Sequence, residues 1–455
     1  MRRYIVLGVL SFAVFAGFAG ARLKIHTQDN HFVYLADSFL NGQVELTRKP
    51  HHGNDWASYE RMKLKGESAN QHGAEVKGFF TRRKGKPNEF RTLQGENLTI
   101  PKKDRGERKT HHYVSFPPGP AVLMMPFVAA VGYGTNDVLF TILFASINAV
   151  LFFILLCRFR EDGYTDRDDK QLLWFTALFI FGTAHFWCGV MGRVWFTALI
   201  IGVTFHLLYI YFALNARRPL LAGLCLAVAF SSRASLVFAA SFFYWQLLRP
   251  KGDEDTGEDR WRKAALFSAP CLVIGLTLLY YNQVRFANPL EFGHTYLAGG
   301  SLARIRDFGL FHAEFLNRNL TAAFTLLPRF TDSAPFIQFS KHGMSIFLTT
   351  PALIWLLWPK ESNAMHRPLW IATACVGVPL LFYQNTGWEQ FSYRFILDVL
   401  PYLVLLLVAG ARPMTRTFKT LIIVGILINA LGAATFQRAG MGSLYGHHMT
   451  EEPKR

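Results

Sequence analysis

Charged residues are scarce in this sequence. Asp, Glu, Lys and Arg make up 17% of its 455 residues, against about 25% in a typical soluble domain. Apolar residues account for 51%, with Phe alone supplying 42 positions, and apolar runs long enough to span a bilayer recur along the chain. The composition excludes an ordinary soluble protein and indicates a membrane protein.

Cysteine is scarce as well, and no two cysteines have paired spacing. This excludes a disulfide framework and a thiolate zinc site and favours buried small residues. The pairs His51-His52 and His111-His112 bring no suitably spaced carboxylate or cysteine, so we expect no cofactor and no divalent metal. The cysteines are Cys157, Cys188, Cys225, Cys271 and Cys375.

Acidic side chains are outnumbered by basic ones, 31 against 48, which gives a formal charge of +17. In a membrane protein such an excess usually reflects cytoplasmic loops facing anionic lipid. We therefore expect membrane lipids as partners and no nucleic acid.

The apolar runs predict an all-α polytopic membrane protein with about eleven transmembrane helices. Arg2-Arg3 ahead of the first run places the N-terminus in the cytoplasm of a multi-pass inner-membrane protein, and an odd number of crossings places the C-terminus outside. The expected crossings are 4–21, 136–158, 171–188, 193–214, 219–232, 233–248, 263–282, 342–358, 369–384, 395–411 and 417–436.

The same reading divides the chain into alternating membrane and outer segments. Each loop assigned to the cytoplasm carries Lys or Arg: 159–170, 215–218, 249–262, 359–368 and 412–416. The predicted segments are a first transmembrane helix (1–21), a long outer loop (22–135), transmembrane helices 2–7 (136–282), a second outer loop (283–341), transmembrane helices 8–11 (342–436) and a C-terminal tail (437–455).

The long outer loop is expected to contain interfacial helices. The spacing of apolar residues over Asp29–Gly42 predicts a short amphipathic helix that Gly42 ends. Pro117-Pro-Gly-Pro120 opens a run at 121–132 that is too short to span and fits a second helix along the surface. Alternating apolar residues at 75–80 and 90–100 are consistent with a small sheet or hairpin.

Asp29 and Asp37 are the candidate catalytic residues of this loop. A carboxylate held at a membrane surface can serve as a general base for a hydroxyl. Asp29 at or before the helix start has the alternative role of a cap, because an anion is favoured there. Asp37 has the alternative role of a solvated residue on the polar side of the helix.

Other unusual polar residues fall on the same predicted outer face. Ionisable groups at membrane depth are costly and therefore functional candidates, and cations with aromatics beside a carboxylate suit a phosphate-linked sugar or prenyl chain. Arg394 and Asp398, four residues apart, have the alternative of pairing with each other, and Arg233 that of reaching the headgroups. The candidate substrate-binding residues are Arg193, Arg233, Arg285, Glu291, His294, Trp388, Glu389, Gln390, Tyr393, Arg394 and Asp398.

Taken in order, several stretches resemble the polytopic GT-C glycosyltransferases, especially family 39, the protein O-mannosyltransferases and the aminoarabinose transferases of lipid A. No single motif is highly specific, and their order carries the resemblance. The stretches are Asp29 through Gly42, Ser115-Phe-Pro-Pro-Gly-Pro120 with Pro126 and Gly132, Tyr281-Asn-Gln-Val-Arg-Phe-Ala-Asn-Pro-Leu-Glu-Phe-Gly293, and Gly387-Trp-Glu-Gln-Phe-Ser-Tyr-Arg394 leading into Leu400-Pro401.

The resemblance implies an inverting hexosyl- or pentosyltransferase with its site on the outer face. Its donor would be a polyprenyl-phosphate-linked sugar, and its acceptor a lipid, a glycan or a protein. Asp29 matches the acidic position of the family best, with Asp37 second. Many members have a paired Asp-Glu there, whereas this chain has Asp29-Asn30.

Two other classes of function compete with this reading. A lipid or polysaccharide transporter would need polar residues running through the bilayer and often shows inverted repeats. Here the polar residues cluster at one face, and no such repeat is evident. A non-catalytic membrane subunit of a cell-envelope assembly would keep the fold without activity, and the missing second acid is consistent with it.

Overall fold

A computed structural model describes residues 2–81, 87–249, 257–297 and 301–449. The chain forms two compact units. The helical unit comprises Met1–Thr27, Asn136–Ile274 and Leu310–Arg455, and the sheet unit comprises Gln28–Thr135 and Gly275–Gly309.

Helices dominate the described residues. In chain order the α-helices are α1 (Arg2–Ala19), α2 (His31–Leu40), α3 (Gly66–His72), α4 (Gly119–Val131), α5 (Asp137–Glu161), α6 (Asp169–Phe181), α7 (Ala184–Gly189), α8 (Arg193–Ala213), α9 (Pro219–Phe230), α10 (Ala240–Leu248), α11 (Gly257–Phe286), α12 (Ser301–Phe308), α13 (Leu316–Leu320), α14 (Ile346–Thr349), α15 (His366–Leu381), α16 (Leu400–Ala409) and α17 (Arg416–Thr435).

The strands are short and form two sheets. They are β1 (Trp56–Leu64), β2 (Glu75–Phe80), β3 (Glu89–Thr92), β4 (Asn97–Thr99), β5 (Arg105–Val114), β6 (Arg329–Phe330), β7 (Ile337–Ser340) and β8 (Tyr445–Gly446). Turns of 3-10 helix extend or join several helices, among them Gly20–Lys24, Ala234–Ala239, Pro351–Leu357 and Arg394–Asp398.

Within the described residues, five helices are long and apolar enough to cross a membrane, which is compatible with a membrane protein. The expected eleven crossings are not supported. Shorter apolar helices of 10–17 residues cover Gly119–Gly134, Pro219–Phe230, Ala234–Leu248 and Leu400–Ala409. The five long ones are Arg2–Lys24, Asp137–Glu161, Arg193–Ala216, Glu258–Phe286 and Arg416–Thr435.

Local breaks explain why several apolar runs do not form one long helix. The run at 171–188 is interrupted after Gly182, where the hydroxyl of Thr183 accepts a hydrogen bond from His185 N–H and caps a new helix. The run at 342–358 is split by Pro351, which begins a 3-10 turn because proline has no N–H to continue the preceding helix. The run at 395–411 becomes α-helical only from Leu400.

The sheet unit departs from the all-α expectation. Its antiparallel sheet has the strand order β4-β3-β2-β1-β5. The strand expected at 75–80 is confirmed as β2, and the stretch 90–100 forms the β3–β4 hairpin, which turns where Gly95 takes a φ of +92°. The long strands β1 and β5 were not expected, and they extend the expected small sheet or hairpin to a sheet of five strands.

Helix α2 confirms the predicted helix between Asp29 and Gly42, but it is buried on nearly all sides and not on one face alone. Residues His31 to Ala36 are all buried. The His31 ring stacks on Trp56 at 3.7 Å between centroids, and Tyr34 packs edge-on against Tyr133 at 4.7 Å. Because other parts of the sheet unit cover it, α2 is a core helix of that unit.

The helix predicted at 121–132 is observed as α4. Pro118 and Pro120 lie at its N-terminal end and Gly132, with a φ of +62°, directly follows it. Proline suits the first turn of a helix, where the N–H has no partner, and glycine suits the left-handed backbone that ends one. Helix α4 packs against α2 within the sheet unit.

One end of the helical unit gathers the loops 159–170, 215–218, 359–368 and 412–416. Arg217 lies 2.6 Å from Asp162, Asn363 Nδ2 donates to the Tyr164 carbonyl at 2.9 Å, and an Arg167 guanidinium N–H donates to the Arg412 carbonyl at 2.7 Å. These contacts make the four loops neighbours although they are far apart in sequence.

The other end of the helical unit joins the end of α1, the starts of α5 and α8, and the segment after α17. The buried carboxylate of Asp137 accepts hydrogen bonds from the backbone N–H groups of Thr27, at 2.8 Å, and Arg193, at 3.1 Å. Arg22 donates to the Phe436 carbonyl at 2.7 Å, and Arg438 donates to the Ala19 carbonyl at 2.9 Å.

Close packing of α9 on α11 yields a test of this arrangement. A Cβ at Gly223 would lie 2.2 Å from the Phe267 carbonyl oxygen, whereas one at Gly275 would meet no atom within 4 Å. We expect Gly223→Ala to lower the free energy of unfolding by about 1–3 kcal/mol through overpacking. We expect Gly275→Ala to be neutral or to stabilise by up to about 1 kcal/mol. Thermal unfolding of the detergent-solubilised protein would measure both, and equal midpoints would contradict this packing.

Candidate functional site

Asp29 lies in the loop just before α2 and is only 5% exposed. Its Oδ1 accepts a hydrogen bond from Asn54 Nδ2 at 3.2 Å and lies 3.5 Å from Nε2 of His52. The residue that the sequence placed at or before the helix start is thus a buried carboxylate held by the loop that precedes β1.

Hydrogen bonds orient the ring of His52. Its Nδ1 accepts the backbone N–H of Asn54 at 3.2 Å, so that nitrogen carries a lone pair. Its Nε2 therefore carries the proton and donates to the Gln28 carbonyl at 3.1 Å.

Asn54 is itself fixed by the core of the sheet unit. Its backbone carbonyl accepts a hydrogen bond from Nε2 of His31 at 3.1 Å. Burial lowers the pKa of His31 to about 3, so this imidazole stays neutral in ordinary buffers. The stack of His31 on Trp56 thereby sets the position of the loop that holds Asp29.

Asp37 is half-buried and has a different environment. Its Oδ2 accepts hydrogen bonds from the Thr47 hydroxyl at 2.5 Å and the Tyr133 hydroxyl at 2.7 Å. Burial raises the pKa of Tyr133 to about 12, and the Arg48 guanidinium lies 4.2 Å from the centroid of its ring. Asp37 thus accepts hydrogen bonds from two hydroxyls, whereas Asp29 lies beside an amide and an imidazole.

Arg285 is buried in the sheet unit. Its guanidinium donates to the Val114 carbonyl at 2.5 Å and to Asn282 Oδ1 at 2.6 Å, and it lies 3.7 Å from the centroid of the Tyr281 ring. These contacts join the end of α11 to the end of β5. They give Arg285 a role in holding the unit together.

Glu291 organises the turn that carries His294. Its carboxylate accepts hydrogen bonds from the Gly293 N–H, at 2.6 Å, and from the Thr295 hydroxyl. Burial lowers the pKa of His294, and the negative charge of Glu291 opposes that shift only in part. His294 therefore begins a 3-10 turn, His294–Tyr296, that Glu291 holds from the residues just before it.

In the helical unit, Asp398 pairs with Arg233 rather than with Arg394. The guanidinium donates to both carboxylate oxygens, at 3.1 and 2.7 Å, and the Ser235 hydroxyl adds a third bond at 2.7 Å. The side chain of Asp398 is 2% exposed and that of Arg233 is 20% exposed. Residues 394–398 form a 3-10 turn, in which positions four apart do not stack as they do on an α-helix. Arg233 is therefore held by a carboxylate instead of reaching the headgroups.

Gln390 fixes the loop before this turn. Its side-chain amide donates to the His342 and Thr386 carbonyls, both at 2.7 Å, and its oxygen accepts the Arg394 N–H at 2.9 Å. Gly387, with a φ of +101°, packs so closely on this amide that a Cβ would lie 2.4 Å from its oxygen. Gln390 therefore serves to shape the loop that presents Trp388 and Glu389.

The guanidinium of Arg394 is buried beneath the same loop. It donates weakly to the Glu389 and Trp388 carbonyls, at 3.4 and 3.5 Å, and lies 5.2 Å from the centroid of the Phe196 ring. The neighbouring Tyr393 is 5% exposed and its hydroxyl has no hydrogen-bond partner among the described residues.

Glu389 lies among basic and amide groups. Lys341 Nζ donates to one carboxylate oxygen at 2.9 Å and Gln437 Nε2 to the other at 3.0 Å. Burial raises the pKa of Glu389, but these two hydrogen bonds and the charges of Lys341 and Arg193 together hold it below its ordinary value. Glu389 is therefore ionised at neutral pH and suited to bind hydroxyls or a cation.

Trp388 is exposed next to these groups. Its ring lies 4.6 Å from that of His342 and 5.0 Å from that of His447, with the Lys341 ammonium 5.8 Å from its centroid. An exposed indole flanked by imidazoles and an ammonium offers a flat apolar face beside hydrogen-bond donors. Sugar rings and phosphates are recognised by such surfaces.

The structure divides the predicted site residues between the two units. The sheet unit holds Asp29, Asp37, Arg285, Glu291 and His294. The helical unit brings residues 388–394 together with Lys341 and His342 and holds Arg233 and Asp398 as a pair. Arg193 begins α8, and its backbone N–H donates a hydrogen bond to the Asp137 carboxylate.

Several site residues were missed by sequence reasoning. Asn54 and Lys341 carried no local signal, because their importance comes from contacts with Asp29 and Glu389 across long stretches of sequence. Asp137 could have been recognised from the sequence. It begins a long apolar run directly after Asn136, which caps the helix by accepting the Leu139 N–H at 2.9 Å.

Each histidine pair acquires a carboxylate that its sequence spacing did not show. His52 lies 3.5 Å from Asp29, and His111 lies 2.8 Å from Glu45. Among the described residues, however, no group of three or more His, Cys, Asp or Glu side chains is placed to hold a metal ion. The five cysteines are free thiols.

Comparison with known protein families, with curated proteins and with solved structures finds no match. Functional inference for this chain therefore depends on its own residues and geometry.

The buried imidazole of His31 predicts a pH dependence of stability. Its pKa is about 3 in the folded protein and about 6.5 in an unfolded chain. Between these values the unfolded state binds more protons, so the free energy of unfolding should fall by a few kcal/mol as pH drops from about 7 to 4. His31→Phe keeps an aromatic ring on Trp56 and should flatten this part of the stability profile.

Thermal unfolding at several pH values would measure the slope. The control His51→Phe removes an exposed imidazole of the same unit and should keep the wild-type slope. An unchanged slope in His31→Phe would show that other groups cause the pH dependence.

The ion pair between Arg233 and Asp398 predicts strong coupling. Breaking a buried pair leaves an uncompensated charge, so Arg233→Met and Asp398→Leu should each cost about 3–5 kcal/mol of unfolding free energy. The double variant should recover much of that loss. A double-mutant cycle by thermal or denaturant unfolding would measure it.

The exposed pair Arg3–Asp169, at 2.6 Å with side chains 50% and 45% exposed, is the matched control. Its removal should cost about 0–1 kcal/mol. Additive losses at Arg233 and Asp398 would contradict a structural pair and favour phosphate binding by Arg233.

Proposed function

We propose that this protein is an integral membrane glycosyltransferase of the inverting type. It transfers a hexose or pentose from a polyprenyl-phosphate donor to a lipid, glycan or protein acceptor at the extracytoplasmic face of the inner membrane. In this proposal the N-terminus is cytoplasmic, the C-terminus is extracytoplasmic, and no metal cofactor takes part.

The observation that carries the proposal is the environment of Asp29. A general base must be ionised, shielded from water and within reach of a hydroxyl. The Asp29 carboxylate is 5% exposed, accepts a hydrogen bond from the Asn54 side-chain amide and lies 3.5 Å from Nε2 of His52.

The reaction follows from this assignment. Asp29 takes the proton of the acceptor hydroxyl while that oxygen forms a bond to the anomeric carbon. The bond from the anomeric carbon to the phosphate oxygen breaks, and polyprenyl phosphate leaves with the electron pair. Attack opposite the leaving group inverts the anomeric configuration.

The leaving phosphate requires positive charge and the sugar requires a flat surface. In the helical unit, Trp388 offers an exposed indole and Lys341 an ammonium 5.8 Å from its centroid. Arg193 adds charge near Glu389. Within the helical unit we propose this group and Arg394 as the residues that recognise phosphate and sugar, while Arg233 and Arg285 hold the fold through Asp398 and Val114.

Asp37 is the second candidate for the base. Its Oδ2 is already engaged by the hydroxyls of Thr47 and Tyr133. Hydrogen bonds to the charged form of a carboxylate stabilise it and weaken it as a base. We therefore keep Asp37 as the second candidate, after the more deeply buried Asp29.

Replacing the base tests the proposal. In membranes that contain the full-length protein and a labelled polyprenyl-phosphate sugar, Asp29→Asn should lower the transfer rate by about 10²- to 10⁴-fold. Asp37→Asn should lower it less. Cells that lack the protein should accumulate the lipid-linked donor, and Asp29→Asn should not reverse this.

The matched control is Glu107→Gln, an exposed carboxylate of the same unit that pairs with Lys63 at 2.7 Å. It should retain wild-type transfer. Thermal unfolding must show that Asp29→Asn is folded. Full transfer by the variant that lacks both Asp29 and Asp37 would exclude either residue as the base, and absence of transfer by the wild-type protein would contradict the function itself.

A further inference from the structure

A small cavity lies at the end of the helical unit where the loops 159–170, 359–368 and 412–416 meet. Its walls are aromatic and aliphatic, its polar groups are hydrogen-bond donors, and no Asp or Glu lines it. We call it the donor pocket because of its hydrogen-bond donors, and it is not a site for the sugar donor. Its lining residues are Arg167, Phe175, Trp355, Leu356, Pro359, His366, Trp370, Leu406, Leu407, Gly410, Arg412 and Phe418.

His366 supplies the first donor. It is 7% exposed, and its Nδ1 accepts the Asn363 N–H at 3.0 Å. Nδ1 also lies 3.3 Å from Asn363 Oδ1, but its shorter contact with the N–H favours the tautomer whose proton is on Nε2. The Nε2–H group has no hydrogen-bond acceptor among the described residues.

Trp355 supplies the second donor. Its indole N–H is buried and likewise has no acceptor within the described part of the chain. Leaving a buried donor unsatisfied is unfavourable, and such groups are rare in folded proteins. Two of them lining one cavity indicate that an acceptor binds there.

Two guanidinium groups give the donor pocket its charge. Arg167 is buried and donates to the carbonyls of Val408 and Arg412, at 3.2 and 2.7 Å. Arg412 donates to the Trp358 carbonyl and lies 4.6 Å from the centroid of the Trp355 ring. Carbonyl oxygens satisfy hydrogen bonds without neutralising the charge, so the pocket favours an anion.

The size of the donor pocket limits its ligand. It encloses about 20 Å³, room for roughly one water-sized group. This excludes a nucleotide or a sugar and admits an oxygen of a phosphate group seated at the opening.

Exposed apolar residues next to the pocket indicate the source of that phosphate. Ile354, Leu357, Trp358 and Trp370 all have exposed side chains. Tryptophan is enriched at the level of lipid headgroups, where an apolar ring and a polar N–H are both accommodated. A lipid could place its phosphate in the pocket and its chains along these side chains.

We propose that the donor pocket binds the phosphate of an anionic membrane phospholipid. The bound lipid accepts the His366 and Trp355 N–H groups and neutralises Arg167 and Arg412. This site is separate from the residues assigned to glycosyl transfer and does not depend on that function.

Lipid binding to the purified full-length protein tests the proposal. Native mass spectrometry in detergent should show one phosphatidylglycerol retained per chain in preference to phosphatidylcholine, which has no net charge. Trp355→Phe removes one N–H and keeps the aromatic ring, and Arg412→Gln removes one charge. Each should weaken phosphatidylglycerol binding about tenfold or more, the effect of one hydrogen bond to a charged group.

The control Trp261→Phe alters a tryptophan that is 78% exposed on α11 and should bind phosphatidylglycerol as the wild type does. Thermal unfolding without added lipid should show that the Trp355→Phe variant is folded. Equal retention of the two lipids, or unchanged binding by both pocket variants, would overturn the proposal. Equal stabilisation by millimolar inorganic phosphate alone would assign the pocket to free phosphate and overturn the lipid assignment.

Discussion

The buried carboxylate of Asp137 is the interaction on which one end of the helical unit depends. It begins α5 and accepts hydrogen bonds from Thr27, which follows α1, and from the backbone N–H of Arg193, which begins α8. Anions are favoured at helix N-termini, and here one anion serves the starts of two helices. The placement of Arg193, and through it the charge near Glu389, follows from this contact.

Local sequence features predicted some helices but not the residues that pack against them. Apolar spacing and Gly42 were sufficient to locate α2, and proline with glycine was sufficient to locate α4. That α2 is buried on nearly all sides was not readable, because Trp56 and Tyr133 reach it from other segments of the sheet unit. Strand β1 was missed because charged residues such as Arg61 and Lys63 interrupt its apolar side chains.

Helix counting failed for a related reason. Hydropathy measures how apolar a run is and not whether that run forms one continuous helix. Gly182, Pro351 and the 3-10 turn at Arg394–Asp398 divide apolar runs that composition alone presents as single crossings. The same turn explains why Asp398 pairs with Arg233 and not with Arg394, the alternative that the sequence offered.

For the candidate site, the sequence identified residue types but not partners. Asp29 was recognised from its position before a helix, while Asn54 and His52 became relevant only through the folded loop. Arg233 and Gln390 were selected as unusual polar residues, and their hydrogen bonds show them supporting the fold. Charge and rarity can be read from a sequence, whereas the contacts that decide between binding and support require coordinates.

The segment after α17 has a consequence for how this protein can be altered. Strand β8 lies parallel to β7, the Ser340 hydroxyl donates to the His448 carbonyl at 2.6 Å, and Gln437 contacts Glu389. Residues beyond the last long helix therefore belong to the folded structure around Trp388. Shortening the chain at Thr435, where a hydropathy plot would place the end of the membrane domain, would remove a wall of that surface along with the tail.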